Sequence, residues 1–196
     1  MILKNVLKDN DYYNLSQLLS GVDFPWYYQP DIAFTNFDDH TNDPNVFSSY
    51  GFTHVAWDCD HGKVSDVIHL ISPIAESFEE TTRIKINNFL RIKINLQTPL
   101  IDYTYDNYNG AHIDRFEPHK TIIYYVNDSD GDTVIFNNIY DPNDKTTWHL
   151  NTDLKIKEKI TPVANSLYYL ENGLTYHSGS NPIKSQRRIT ININFN

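Results

Sequence analysis

His112-Ile113-Asp114 places an imidazole and a carboxylate two positions apart. In an extended chain, residues i and i+2 point to the same face, so both groups can reach one ion. A second imidazole from a distant segment would complete two histidines and a carboxylate on one face of a metal, with three positions left open. His177 is the candidate. It follows the strand-like run SLYYL (166–170) and a short NG turn, and it precedes another strand-like run. The triplet alone carries no weight. With 8 His and 19 Asp among 196 residues, about 0.8 such pairs are expected by chance, so context must decide.

The elements that would position these groups can be read from periodicity. Residues 10–20 put Leu15, Leu18 and Leu19 at helical spacing, with Gly21 as a stop. Residues 65–80 predict a second helix, with Ser65 as N-cap and an apolar stripe of Val67, Leu70, Ile71, Ile74 and Phe78. Pro73 should kink it. The stretch 21–48 is rich in Pro, Asp and Asn and reads as loop, with Phe24, Trp26, Tyr27 and Tyr28 packed beneath it. After residue 82 the period changes. RIKIN (83–87), RIKINL (91–96), IDYTY (101–105), KTIIYYV (120–126), DTVIF (132–136), LKIKEKI (154–160), SLYYL (166–170) and RITININF (188–195) are short and rich in β-branched and aromatic residues. Turn signals at 87–88, 109–110, 130–131, 141–144 and 172–173 separate them. The pattern predicts a mainly β protein with N-terminal helices. We read residues 1–196 as one domain, with a helical and loop part (1–82) packing on an antiparallel sandwich or barrel core (83–196).

The run from His112 reads HIDRFEPHKTIIYYVNDSDGDTVIF, and the C-terminus reads PVANSLYYLENGLTYHSGSNPIKSQRRITININF. Together they resemble the Fe(II)- and 2-oxoglutarate-dependent oxygenases, in particular the prolyl-4-hydroxylase-like branch and its short bacterial and bacteriophage members. The resemblance covers residues 83–195. It implies a double-stranded β-helix, a jelly-roll or cupin-like core, with helices buttressing the larger sheet. It makes His112, Asp114 and His177 the iron ligands and implies Fe(II), 2-oxoglutarate and O2 as cofactor and cosubstrates. Tyr125 matches the tyrosine that hydrogen-bonds the distal carboxylate of 2-oxoglutarate, and a basic residue beyond the distal histidine pairs with the same carboxylate. Thr121 and Thr190, on the faces of Tyr125 and Arg188, join the cosubstrate-binding group. Two departures stand out: Asp132 occupies a position that is often Gly, and so does Asn165, where Asn tolerates positive φ.

Arg187 and Arg188 both satisfy the family's spacing after His177. Alternation chooses between them. Arg187 shares a face with Ile189, Ile191 and Ile193, and Arg188 with Thr190, Asn192 and Asn194. The Ile row should meet the helices, so Arg188 should face inward and be the catalytic-site arginine.

The implied activity is a dioxygenase that hydroxylates an organic substrate, a peptide or protein (peptidyl proline the leading case) or a small molecule, with release of succinate and CO2. The alternative is a non-catalytic jelly roll, a binding or virion structural module. Composition bears on partners. Residues 1–82 carry 3 Lys+Arg against 13 Asp+Glu, and the net charge of the chain is −9, which argues against nucleic acid. No run reaches the roughly 18 apolar residues of a membrane helix, so no membrane partner is expected. The first residues carry no signal-peptide pattern, which with the single Cys59 suits the cytoplasm, or a host cytoplasm if phage-encoded. His54, Asp58, Cys59, Asp60 and His61 have zinc-ligand chemistry but read as a polar loop after the strand FTHVAW. His119 reads as a solvent-facing loop residue, and one of Tyr103, Tyr105 and Tyr108 is expected to face the site.

Overall fold

The computed structural model describes residues 1–33, 43–143 and 154–196. Part of the 21–48 loop and the last residue of the 141–144 turn lie outside the described residues. The helices form where expected. α1 (Asp9–Ser20) buries Leu15 and Leu19 and ends at Gly21, whose N–H bonds the Leu18 carbonyl. α2 (Ile68–Thr82) buries Ile71, Ile74, Ala75 and Phe78 and carries Pro73 within its first turns. Ser65 is not its cap: Val67 holds that position, and the Ser65 hydroxyl only accepts the Val67 N–H at 3.4 Å. The helix stops at Arg83, in the left-handed region at φ 65. That conformation breaks the run 83–87, which alternates like a strand but does not form one.

Eight strands build the major sheet: β1 (Ile2–Lys4), β2 (Tyr27–Gln29), β3 (Gly51–Asp58), β4 (Gly62–Lys63), β5 (Phe89–Gln97), β6 (Lys120–Tyr125), β9 (Ser166–Leu170) and β11 (Arg188–Phe195). Their order is β1-β9-β6-β11-β5-β3-β2, with β4 paired to β3. The minor sheet is β10 (Thr175–Gly179), β7 (Thr133–Ile139) and β8 (Ile156–Ile160), in the order β10-β7-β8. Residues 1–82 therefore contribute four strands as well as both helices, and the sheet does not begin at residue 83. The run 101–105 forms turns instead of a strand, with Asp102 at φ 65.

The register of β11 decides which face is which. Ile189, Ile191, Ile193 and Phe195 are buried with Ile92 and Ile94 of β5, Ile122 and Tyr124 of β6, Leu167 of β9 and the helix residues Leu15, Leu19, Ile71, Ile74 and Phe78. Each of these fully buried side chains contributes about 1.5–3 kcal/mol of transfer free energy. The helices thus take the apolar row, and the polar row is left to the space between the two sheets. Ile123, Tyr125, Tyr168 and Leu170 from the inner face of the major sheet meet Ile135 and Ile160 of the minor sheet and close one side of that space. The architecture is a double-stranded β-helix with both helices on the outer face of the larger sheet. Asn165 takes the positive φ, 54, that its turn needs. Its side chain also exchanges bonds with Leu7 of the N-terminal segment, at 2.8 Å to the Leu7 N–H and 2.9 Å to the Leu7 carbonyl.

Candidate active site

His112 and His177 are held opposite one another by two reciprocal backbone bonds, each 2.9 Å, which make an antiparallel bridge at the open edge of β10. Opposed residues of such a bridge project to the same face, and the two ring centroids are 4.9 Å apart. Asp114, two residues on, puts its carboxylate on that face, with the side chain 4% exposed. One ligand atom from each of the three lies within 4.8 Å of the others. The imidazoles are oriented by the backbone. His112 Nδ1 bonds the Gly110 carbonyl at 3.0 Å and His177 Nδ1 bonds the Thr175 carbonyl at 3.1 Å. A carbonyl only accepts, so in each neutral imidazole the proton sits on Nδ1 and Nε2 keeps a lone pair. His177 Nε2 is buried without a hydrogen-bond partner. An orphaned buried acceptor, a second lone pair and a carboxylate converging on one point are a donor set that suits a divalent transition metal.

Asp114 is held from both sides. Arg91 Nη2 donates to Oδ1 at 2.7 Å, and Asn194 Nδ2 donates to Oδ2 at 2.9 Å and to the Thr121 hydroxyl at 3.0 Å. His177 Nε2 is 3.6 Å from Oδ2, a charge contact and not a hydrogen bond. Burial opposes the charge on Asp114, but the neighbouring His177, Arg91 and His112 hold its carboxyl well below the usual carboxylate range. Burial, and then the neighbouring His177, push His112 down to about 4, so it is neutral near pH 7. For His177 burial again disfavours the charge, and Asp114 outweighs it and raises the imidazole.

The second pole of the cleft is Arg188, which is 5% exposed and faces inward. Its Nε donates to the Gly131 carbonyl at 2.8 Å, its Nη1 to Gln97 Oε1 at 2.6 Å and its Nη2 to the Thr133 hydroxyl at 2.7 Å. Tyr125 Oη donates to the same Thr133 hydroxyl at 2.9 Å. Behind Gln97 stands an amide network. Gln97 Nε2 and Asn109 Nδ2 both donate to Asn181 Oδ1, at 3.2 and 3.0 Å. Thr190, in register with Tyr125, lines the cleft between the two poles. Thr121 does not: its hydroxyl lies against Asn194, on the His-Asp-His side. Arg187 precedes β11 and does not line the cleft, and its carbonyl accepts from Asn127 Nδ2 at 3.0 Å.

Gly131 is positioned by more than its turn. A Cβ there would lie 2.5 Å from the Ser180 carbonyl oxygen and 2.9 Å from the Pro182 nitrogen, both backbone atoms that cannot step aside. Gly131→Ala should therefore cost about 1–3 kcal/mol of stability and loosen the Arg188 Nε bond, seen as a lower unfolding temperature together with weaker anion binding at Arg188.

Several sequence expectations land elsewhere. His119 is buried at 6%, not solvent-facing, because Gly173 lets its ring pack where a Cβ would approach to 2.3 Å. Among the described residues, none of Tyr103, Tyr105 and Tyr108 lines the cleft. Tyr108 packs edge-on to Phe136 in a separate apolar cluster, and Tyr105 is exposed. Asp58, Cys59 and Asp60 form an exposed acidic turn, while His54 leaves them for the core, its Nδ1 bonding the Pro25 carbonyl at 2.9 Å. The sequence does not single out Arg91, Lys93, Gln97 or Thr133, and it marks Asn194 only as a member of the inward row. The signal available was alternation: in RIKINLQ the charged and amide residues fall on one row, the row opposite the helices.

No protein-family model and no curated protein sequence matches the chain. Solved structures match it over its whole length. The non-heme alpha ketoglutarate dependent epimerase SnoN from nogalamycin biosynthesis superposes with a TM-score of 0.61 at 12% identity, covering 100% of this chain and 76% of that one. A 2OG-Fe(II) oxygenase family oxidoreductase from Burkholderia pseudomallei gives 0.61 at 9%, covering 100% and 84%. A Pseudomonas putida prolyl-4-hydroxylase gives 0.54 at 11%, covering 100% and 91%. The chain has the double-stranded β-helix fold of the 2-oxoglutarate and Fe(II)-dependent oxygenases.

Proposed function

We propose that the protein is an Fe(II)- and 2-oxoglutarate-dependent dioxygenase that oxidises an organic substrate. The observation that carries the reading is the pairing of two poles in one cleft: three convergent ligand atoms at His112, Asp114 and His177, and a buried guanidinium at Arg188 beside the Tyr125 phenol. His112, Asp114 and His177 would hold the metal, and Arg188, Tyr125 and Thr190 would hold the distal carboxylate of 2-oxoglutarate. The iron, when bound, supplies the O2 chemistry that couples decarboxylation of 2-oxoglutarate to oxidation of a substrate C–H bond. The chain's own part is preorganisation. The Gly110 and Thr175 carbonyls fix the imidazole tautomers, and Arg91 and Asn194 fix the carboxylate. Arg188 uses three of its five N–H donors on the protein and keeps two for an anion.

Hydroxylation with release of succinate and CO2 is the expected outcome, and peptidyl proline is the leading substrate from the sequence resemblance. A non-catalytic jelly roll has no use for two imidazoles and a carboxylate converging on one point in its interior. Anaerobic addition of Fe(II) and 2-oxoglutarate should produce a weak visible charge-transfer band, and O2 should then yield succinate. Absence of the band with both present would favour the structural alternative. Proline-containing peptides should gain 16 Da under turnover; a failure of every such peptide beside oxidation of a small molecule would move the substrate class.

A further inference from the structure

The pairing of His112 with His177 continues past the two ligands, but out of step. A regular antiparallel ladder with His112 opposite His177 would set Gly110 opposite Gly179. Instead the Asn109 N–H donates to the Gly179 carbonyl at 3.1 Å, and Ser178 Oγ donates to the Asn109 carbonyl at 2.5 Å. The segment carrying His112 thus spends one residue more than β10 over the same stretch, and the surplus bows it as a β-bulge does. The bow turns the Gly110 carbonyl to His112 Nδ1, at 3.0 Å. The tautomer and aim of the first imidazole therefore depend on where the far end of the bow is pinned.

The pin is the Asn109 side chain. Its Nδ2 donates to the Gly179 carbonyl at 2.7 Å and to Asn181 Oδ1 at 3.0 Å, and its Oδ1 accepts from Ser49 Oγ at 2.7 Å. Asn181 Nδ2 donates to the Thr98 carbonyl at 2.8 Å, so the oxygen is the end that Asn181 turns to Asn109 and Gln97. Gln97 must then present Nε2 to Asn181, at 3.2 Å, which leaves its Oε1 for Arg188 Nη1, at 2.6 Å. Each amide in the row sets the direction of the next. Ser49, Gln97, Asn109, Asn181 and Arg188 are all buried, and a reversed amide there would set acceptor against acceptor with no water to relieve it.

We infer that Asn109 is a positioning residue for both poles of the site. Its side chain pins the bow that aims His112, and it ends the row of amides that aims the Arg188 guanidinium. The inference rests on the oxygenase reading and adds to it a side chain whose own hydrogen bonds go to neither the ligand imidazoles nor the guanidinium.

Two titrations of the full chain read the poles apart: Mn(II) by electron paramagnetic resonance with no 2-oxoglutarate present, and 2-oxoglutarate by calorimetry on protein saturated with Mn(II). Asn109→Ala should weaken both, Mn(II) by about 10- to 100-fold, the scale of groups that orient metal ligands, and 2-oxoglutarate by about tenfold, the scale of one lost buried hydrogen bond. Gln97→Ala should weaken 2-oxoglutarate alone, because Asn109 keeps Gly179, Asn181 and Ser49. Asn109→Asp keeps the shape and the Ser49 bond but sets a carboxylate oxygen against two acceptors, so it should lose both affinities as well. A side chain that only stabilises the fold would lower the unfolding temperature and leave both affinities of the folded protein alone. Wild-type Mn(II) affinity in Asn109→Ala, an equal loss of Mn(II) in Gln97→Ala, or wild-type values in Asn109→Asp overturn the inference. If the Asn109 variants do not fold, Ser49→Ala decides, since it removes only the donor to Asn109 Oδ1: a loss at both poles supports the inference, and a loss at one or neither overturns it. Failure of the oxygenase reading is a different result: no charge-transfer band with Fe(II) and 2-oxoglutarate in the wild-type protein.

Discussion

Asp114→Ala is expected to abolish metal binding and to do so more completely than His112→Ala or His177→Ala. Removing one of three protein ligands from a facial site should lower Mn(II) or Fe(II) affinity by more than about 100-fold, beyond the 10- to 100-fold typical of the groups that merely orient ligands. Asp114 carries a second penalty. Without its carboxylate, the Arg91 guanidinium faces the two imidazoles unopposed, and a cation stands where the metal must sit. Arg91 Nη2 and Asn194 Nδ2 also lose their acceptor, at about 1–3 kcal/mol of fold stability. His112→Ala frees only the Gly110 carbonyl, so it should lose the metal while unfolding near the wild-type temperature. Electron paramagnetic resonance titration with Mn(II) and a thermal melt of the metal-free protein read the two effects apart. If His112→Ala or His177→Ala retains wild-type affinity, that residue is not a ligand.

The pH dependence follows from the same triad. His112 is already neutral near pH 7, since its pKa is pushed down to about 4. His177 is raised above the ordinary imidazole value by Asp114, so metal must displace its proton. Metal affinity should fall as pH drops through the raised His177 value, by up to about tenfold per pH unit. In the metal-free protein the sign is reversed. The protonated His177–Asp114 pair stabilises the fold below the ordinary imidazole pKa, and that contribution is lost as pH rises through the raised one.

What the sequence made legible was what periodicity and charge can carry. The alternation in RITININF chose Arg188 over Arg187 because the isoleucine row had to meet the helices. The HxD spacing put His112 and Asp114 on one face because strand geometry leaves no other option. The illegible parts depend on contacts between distant segments. β10 (TYHSG) has no strand composition; it is a strand because β7 pairs with it and His112 bridges to its edge. Arg91 and Lys93 look like the solvent row of an amphipathic strand. The helices cover the opposite row, and the minor sheet then encloses the polar one. His119 looked exposed because nothing local reveals that Gly173, more than fifty residues later, leaves room for its ring. The runs 83–87 and 101–105 alternate like strands, yet Arg83 and Asp102 sit at positive φ and end any ladder there.

Arg188→Ala should raise the 2-oxoglutarate requirement by about 30- to several-thousand-fold, the equivalent of roughly 2–5 kcal/mol for leaving a buried carboxylate without its ion partner. Three bonds aim the guanidinium, to the Gly131 carbonyl, Gln97 Oε1 and the Thr133 hydroxyl, and the last of these also accepts from Tyr125. The loss therefore has two parts, the missing charge and the freed Tyr125–Thr133 pair. Arg188→Lys keeps the charge, but an ammonium cannot span three acceptors in a fixed fork. It should recover only part of the affinity, and Thr133→Val, which removes the shared hydroxyl, should weaken binding with the guanidinium still present. Arg187→Ala is the control, because Arg187 precedes β11, does not line the cleft and should leave the requirement near wild type. Titrating the Fe(II)–2-oxoglutarate band of each variant measures the effect, and a melt of the unloaded protein separates it from stability. A large loss in Arg187→Ala with little in Arg188→Ala would place the cosubstrate on the opposite face of β11, against a row that the helices already cover.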